Sequence, residues 1–185
     1  ADDDRLNHPQ GVFKQVSAGL KHSCALNADG EIDCWGTNTY GESNVPEGTY
    51  KFVIAGWHNS CAIDNNDDLV CWGKNESGGS SPPAGKFISV GIGDEYGCGL
   101  KTDNTIVCWG LDVSGCTIPP LGEFISLSVG IKHACALDSK DNTALCWGAD
   151  DMQVVTNTPS GKFKSIEVGH NHTCSVRWDD TVECW

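Results

Sequence analysis

His22-Ser23-Cys24-Ala25-Leu26, then Asn27-Ala28-Asp29-Gly30-Glu31, then Ile32-Asp33-Cys34-Trp35-Gly36: this stretch decides the fold. Folding its two flanks back about Asp29 sets residues whose numbers sum to 58 opposite one another. Cys24 then faces Cys34, Leu26 faces Ile32 and His22 faces Gly36 on one side of a hairpin. Ser23 faces Trp35 and Ala25 faces Asp33 on the other, because side chains alternate along a strand. Opposed residues of an antiparallel pair have Cα atoms about 4.5–5.5 Å apart, within the roughly 4.4–6.8 Å that a disulfide spans. Ala28-Asp29-Gly30 makes a three-residue hairpin loop, with glycine where positive φ is needed.

The hairpin recurs at Asn59–Gly73, Tyr96–Gly110, His133–Gly148 and His172–Trp185. The same arithmetic pairs Cys61 with Cys71, Cys98 with Cys108, Cys135 with Cys146 and Cys174 with Cys184. In the fourth copy one extra residue makes Ser139-Lys140-Asp141-Asn142 a four-residue turn. First cysteines fall at 24, 61, 98, 135 and 174, in steps of 37, 37, 37 and 39. Gly19, Gly56, Gly93, Gly130 and Gly169 keep the same step. So do an aromatic and a branched or leucine residue three positions on: Phe13/Val16, Tyr50/Val53, Phe87/Val90, Phe124/Leu127 and Phe163/Ile166. Each unit reads as a short apolar strand, a glycine turn, the cysteine hairpin and a polar loop, with no helical periodicity. Short strands at this period are propeller blades rather than a helical solenoid.

The expectation is therefore an all-β, five-bladed β-propeller of ~37-residue repeats with one disulfide inside each blade. As a single domain over 1–185, its repeats run at about 6–42, 43–79, 80–116, 117–155 and 156–185. Residues 7–13 match residues 44–50, so the chain starts inside an inter-repeat loop and stops at Cys184-Trp185, where that loop would begin. This predicts a closed ring, with residues 1–5 completing the last unit and Asp2–Asp4 a frayed acidic end. Trp35, Trp72, Trp109 and Trp147, backed by Ser23, Ser60, Gly97 and Ala134, are expected between blades, with Trp185 over Thr173 at the closure.

Eleven cysteines in 185 residues, ten of them in regular pairs, indicate an oxidising compartment, and so a secreted, extracellular chain. The start at Ala1, without an initiator Met, fits a mature chain after secretory cleavage. No apolar run approaches the ~18 residues that span a bilayer. A net charge of −13 repels polyphosphate, which excludes nucleic acid and anionic membranes as partners. The cysteine spacing does not form the close knuckles of a zinc site, and no metal or cofactor is expected.

Gly-x-x-His-x-Cys-Ala-Leu followed by Gly-x-x-x-Cys-Trp-Gly, as in Gly19–Gly36, resembles the repeats of the regulator of chromosome condensation superfamily. Paired cysteines make it similar to the secreted branch, including the ectodomain repeats of crinkly-type plant receptor kinases. The resemblance covers all five units and implies the propeller. Its members differ in activity, so it implies no single function. The chain departs from it in having five repeats where seven are usual, and shorter ones. Five-bladed secreted animal lectins of similar size lend a glycan reading by analogy.

Functional candidates come from residues that break the repeat. No nucleophile elbow, phosphate loop or zinc-protease motif is present, so a non-enzymatic role is expected. Trp57 stands where other units have Leu20, Asp94, Ile131 and His170. With His58 and Asn59, and with Asp94, Glu95 and Tyr96 on the next blade, it forms the predicted ligand site. The leading expectation is a carbohydrate-binding, lectin-like protein. The alternative is a protein-interaction or self-assembling subunit, and a third reading is a glycoside hydrolase using Asp94 and Glu95. Trp178, at a hairpin tip, is a second aromatic candidate. The histidines at 22, 133 and 172 are read as structural hydrogen bonders. Cys116, the eleventh cysteine, aligns with Gly79 and is either a free thiol or an intermolecular disulfide linking a homo-oligomer. Asn75-Glu76-Ser77 is the predicted glycosylation site.

Overall fold

The computed structural model describes residues 7–185, so the expected ring-closing segment 1–5 and Asp2–Asp4 lie outside the described residues. Fifteen strands form five three-stranded antiparallel sheets, each in sequence order. The first blade is β1 (Phe13–Ala18), β2 (His22–Asn27) and β3 (Ile32–Gly36), and the second is β4 (Tyr50–Ala55), β5 (Asn59–Asp64) and β6 (Leu69–Gly73). The third is β7 (Phe87–Ile92), β8 (Tyr96–Lys101) and β9 (Ile106–Gly110). The fourth is β10 (Phe124–Val129), β11 (His133–Asp138) and β12 (Ala144–Gly148). The fifth is β13 (Phe163–Val168), β14 (Thr173–Arg177) and β15 (Val182–Cys184).

The register within each hairpin is the one the sequence dictates: Cys24 opposes Cys34, Leu26 opposes Ile32 and Ser23 opposes Trp35. All five disulfides form, with Cα atoms 4.0–4.1 Å apart. The αL residue at each tip is Gly30, Asp67, Asn104, Asn142 or Asp180, the residue types that tolerate positive φ. One irregularity was not expected. The inner strand slips register after its aromatic, between Phe13 and Gln15 and at the same place in every blade. This β-bulge turns the aromatic and the following apolar residue toward the same neighbouring blade.

The core lies between blades. The disulfide side of one blade, as with Cys24 and Leu26, packs on the aromatic side of the next, as with Tyr50, Val53, Ala62 and Trp72. The same pairing repeats at the following junctions, through Ile63 with Phe87 and Val90, Leu100 with Phe124, and Leu137 with Phe163 and Ile166. Trp72, Trp109 and Trp147 sit between blades as expected. Trp185 packs at the junction of the fourth and fifth blades rather than at a closure, and Trp35 is part of no inter-blade core. The four indoles at the junctions add a bond that no side chain announces. Trp72, Trp109, Trp147 and Trp185 donate Nε1–H to the carbonyls of Glu42, Gly79, Cys116 and Val154 at 2.9–3.1 Å. Those four residues hold one repeat position, buried in each blade.

Packing runs from the first blade through to the fifth around a common recess. Among the described residues no such packing joins the fifth blade to the first. Val16 is 67% exposed where Val53 is fully buried, and Val182 is 67% exposed on the opposite end face. Among the described residues the first and fifth blades are therefore not packed into the expected closed ring.

Candidate functional site

The loops joining the inner to the middle strand of each blade gather at one end of the recess. Leu20, Trp57, Ile131 and the strand residues Ile92 and Val168 line it, and its volume is about 350 Å³. Trp57 is half-buried there, with its ring edge-on to His170 across the recess at 6.2 Å between centroids. Leu20 is 43% exposed on the same rim. The walls are apolar side chains and glycine backbone, and the rim carries one large aromatic.

The other predicted ligand residues do not converge on Trp57. Asn59 is 3% exposed and its amide donates to the Gly79 carbonyl at 3.4 Å. Tyr96 is 1% exposed, and its hydroxyl bridges to the Gly130 and His133 carbonyls of the next blade at 3.0 Å each. Burial holds that phenol protonated. Both belong to the inter-blade core, a correction to the predicted site. The cause is alternation: they share the face of Cys61 and Cys98, which is the face that the next blade covers.

His58 and Glu95 belong to a polar cluster beside the recess. Tyr40 meets His58 edge-on at 5.3 Å, and Lys74 Nζ lies 5.7 Å from the centre of the Tyr40 ring. Lys74 also pairs with Glu95, whose second oxygen accepts from Ser77 Oγ at 2.7 Å. The bonds from Lys74 and then Ser77 hold the Glu95 carboxyl below its ordinary range. A glycosidase acid needs the opposite shift, so Glu95 is unsuited to that role. Asp94 anchors its loop through its amide, which donates to the Ile131 carbonyl at 3.1 Å. Among the described residues no three His, Cys, Asp or Glu side chains converge to hold a metal ion.

The structural reading of the histidines holds for the two that have a following blade. His22 Nε2 meets Ser60 Oγ at 2.8 Å, and that hydroxyl donates onward to the Glu42 carbonyl, so the imidazole is the donor. His133 makes the matching bond to Thr173 Oγ1 at 3.0 Å. Burial lowers the pKa of both from the ordinary 6.5. A histidine kept neutral in the fold stabilises it fully above about pH 6.5, and this contribution is lost as pH falls toward and through the depressed value. Each histidine tilts stability by at most about 1.4 kcal/mol per pH unit within that window. The urea midpoint is expected to fall between about pH 7.5 and pH 5, and a His22→Gln/His133→Gln chain should show a shallower fall. Equal pH slopes in the two chains would refute this assignment.

Cys116 bonds to no other cysteine of the chain, and it is 1% exposed. It sits under its own loop, where Sγ accepts from the Val113 amide and donates to the Leu111 carbonyl at 3.4 Å each. Burial raises its pKa. The expected cross-link thus has no exposed sulfur to start from. Asn75 is exposed at a loop turn, held to Ser80 and Ser81. Trp178 is 58% exposed at the far end of the molecule, with Lys164 Nζ 5.8 Å from its ring centre.

Blade after blade, a disulfide and a tryptophan recur at fixed places around a central recess, with a histidine at one position in three of the five, and a known repeat has this pattern. The family model for the regulator of chromosome condensation (RCC1) repeat matches residues 13–42 and 52–78. These two stretches match the RCC1 repeat. Among solved structures the chain resembles the entire ectodomain of the Physcomitrella patens receptor kinase CR4, at 28% identity and a TM-score of 0.78. That match covers 94% of this chain and 50% of the other. It is also similar to the CRINKLY WD40 ectodomain of the Arabidopsis thaliana receptor kinase ACR4, at 27% identity and 0.78, over 94% and 64% of the two chains. Yeast RCC1 (Prp20), solved bound to Kap60, matches at 18% identity and 0.78 over 94% and 56%, a likeness of fold alone. The chain therefore spans about half to two thirds of the solved chains it matches. No curated protein sequence is significantly similar to it.

Proposed function

We propose that this RCC1-type chain is an extracellular, non-catalytic recognition domain that binds another protein at the mouth of its central recess. The observation that carries this reading is Trp57 at the rim of an apolar recess, in a repeat position that the other four blades fill differently. Aromatic side chains in such settings anchor protein contacts, and the polar cluster of Tyr40, His58, Lys74 and Glu95 supplies a rim beside it. Five disulfides support an oxidising, extracellular setting, as does similarity to two receptor-kinase ectodomains.

Glycan binding is the second reading, favoured by Trp57 as a stacking surface. It has less support, because Asn59 and Tyr96, the polar groups meant to hold sugar hydroxyls, point into the core. One experiment separates the two readings. Random peptides displayed on phage are selected on the folded chain, and the same chain is applied to a glycan array. Protein recognition predicts peptides with a large apolar side chain whose binding weakens about 30-fold in Trp57→Ala, with a blank array. Array signals that Trp57→Ala abolishes would replace it with the glycan reading. Peptides indifferent to Trp57 would overturn the site.

A further inference from the structure

Five equivalent positions stand around the mouth of the recess, one from each blade: Leu20, Trp57, Asp94, Ile131 and His170. Asp94 is the one carboxylate among them, on the blade that follows Trp57. Its amide donates to the carbonyl of Ile131, which lines the recess. The next residue, Glu95, has φ of 61°, a left-handed conformation that the matching Lys21, His58, Lys132 and Asn171 do not adopt. This conformation is costly for a residue with a Cβ, and the bonds from Lys74 and Ser77 to the Glu95 carboxylate hold it in place.

The Asp94 carboxyl is partly buried, and among the described residues no side-chain hydrogen bond or ion pair reaches it. The lysines of this end are engaged elsewhere or distant. Lys74 pairs with Glu95, Lys132 lies 4.0 Å from Asp151, and Lys21 is two blades away. Partial burial without a cation leaves a carboxylate short of the interactions it had in water, and a partner that brings one restores them. The surroundings lean the same way. Loop amides donate to the carboxyls of Asp112 and Asp150 and hold both below their ordinary range, so they stay ionised. The whole chain carries a net charge of −13, which draws a basic partner at long range.

We infer that the occupant of the recess is a basic segment of another protein, with a lysine or arginine beside its apolar anchor, and that Asp94 takes this cation. The inference rests on the recess site proposed above. Trp57 supplies the apolar contact there, and Asp94 decides which apolar segments are accepted. Charge complementarity of this kind selects partners more than it adds raw affinity.

The test starts from peptides displayed on phage and selected on the folded 185-residue chain, with the strongest binder then made synthetically. Lysine or arginine is expected within about three residues of the apolar anchor. Asp94→Asn should weaken that peptide about 5–10-fold, and so should glutamine in place of its basic residue. The two changes together should weaken it no more than either alone. Asp151→Asn removes the same unit of charge from the loop after the fourth blade, and it should change binding less than about twofold. Peptides that need Trp57 but are indifferent to Asp94 would overturn the inference and leave the recess site standing. Equal losses in Asp94→Asn and Asp151→Asn would overturn it too, because only the overall field would then be acting. Peptides indifferent to Trp57 would remove the site and the inference together.

Discussion

Gly130→Ala is expected to destabilise the fold by about 3 kcal/mol or more, while Gly169→Ala costs well under half of that. The two glycines hold the same repeat position and differ in what lies beyond them. A Cβ on Gly130 would stand 2.4 Å from the Gly169 carbonyl oxygen and 2.6 Å from Val168 Cγ1, on the inner strand of the next blade. Backbone cannot swing aside, so the junction between the fourth and fifth blades would have to open. A Cβ on Gly169 would meet only the ring of His172, which is exposed and free to turn away. Urea or thermal unfolding of the two variants decides the matter. For a chain of this length, about 3 kcal/mol corresponds to a midpoint roughly 6–12 °C lower. Equal costs at the two positions would mean that the glycines serve their own turns and not the approach of neighbouring blades.

Complete reduction of the disulfides is expected to unfold the chain. Each bond closes a loop of ten or eleven residues, which contributes about 2–3 kcal/mol through loss of freedom in the unfolded chain. Five such bonds sum to roughly 10–15 kcal/mol, the size of the whole net stability of an ordinary domain. Blades of about 37 residues with their core in the junctions have little else to replace it. Iodoacetamide counting followed by intact mass reads the state directly. The native chain should take no label because Cys116 is buried, the unfolded but unreduced chain one, and the unfolded reduced chain eleven. Loss of β-sheet circular dichroism should accompany reduction. Labelling of the native chain, or a reduced chain that keeps its sheet signal, would contradict the account.

The blades were legible because their strongest constraint is local. A cysteine pair ten residues apart around a turn admits one register, and this register then places Leu26, Ile32 and Trp35. The same argument held the answer for Asn59 and Tyr96. They alternate in phase with Cys61 and Cys98, and a face that carries a disulfide in every unit is an interface between units. Reading them as ligand groups set their difference from His22 above their place in the strand. Cys116 was placed correctly beside Gly79 by alignment, and the burial of that position follows from the tryptophan that its carbonyl serves, a backbone contact with no side-chain signature. Ring closure is a different kind of quantity. It depends on how all the junctions add up around the recess, and no single hairpin's register encodes that sum.

An open circuit also changes how the molecule comes apart. Among the described residues the extensive packing of each sheet is with the one before and the one after, so stability is close to a sum of single-blade and nearest-neighbour contributions, as in a linear repeat array. In a closed ring no blade is terminal, and opening any of them breaks two junctions. Among the described residues the first and fifth blades are each packed at one junction, and the third is supported from both sides. Backbone amides should therefore exchange with solvent along a gradient, slowest in β7–β9 and fastest at the two ends. Such a molecule unravels from its tips inward. Its cooperativity rests in the middle of the chain, while the faces exposed at either end are the first to let go.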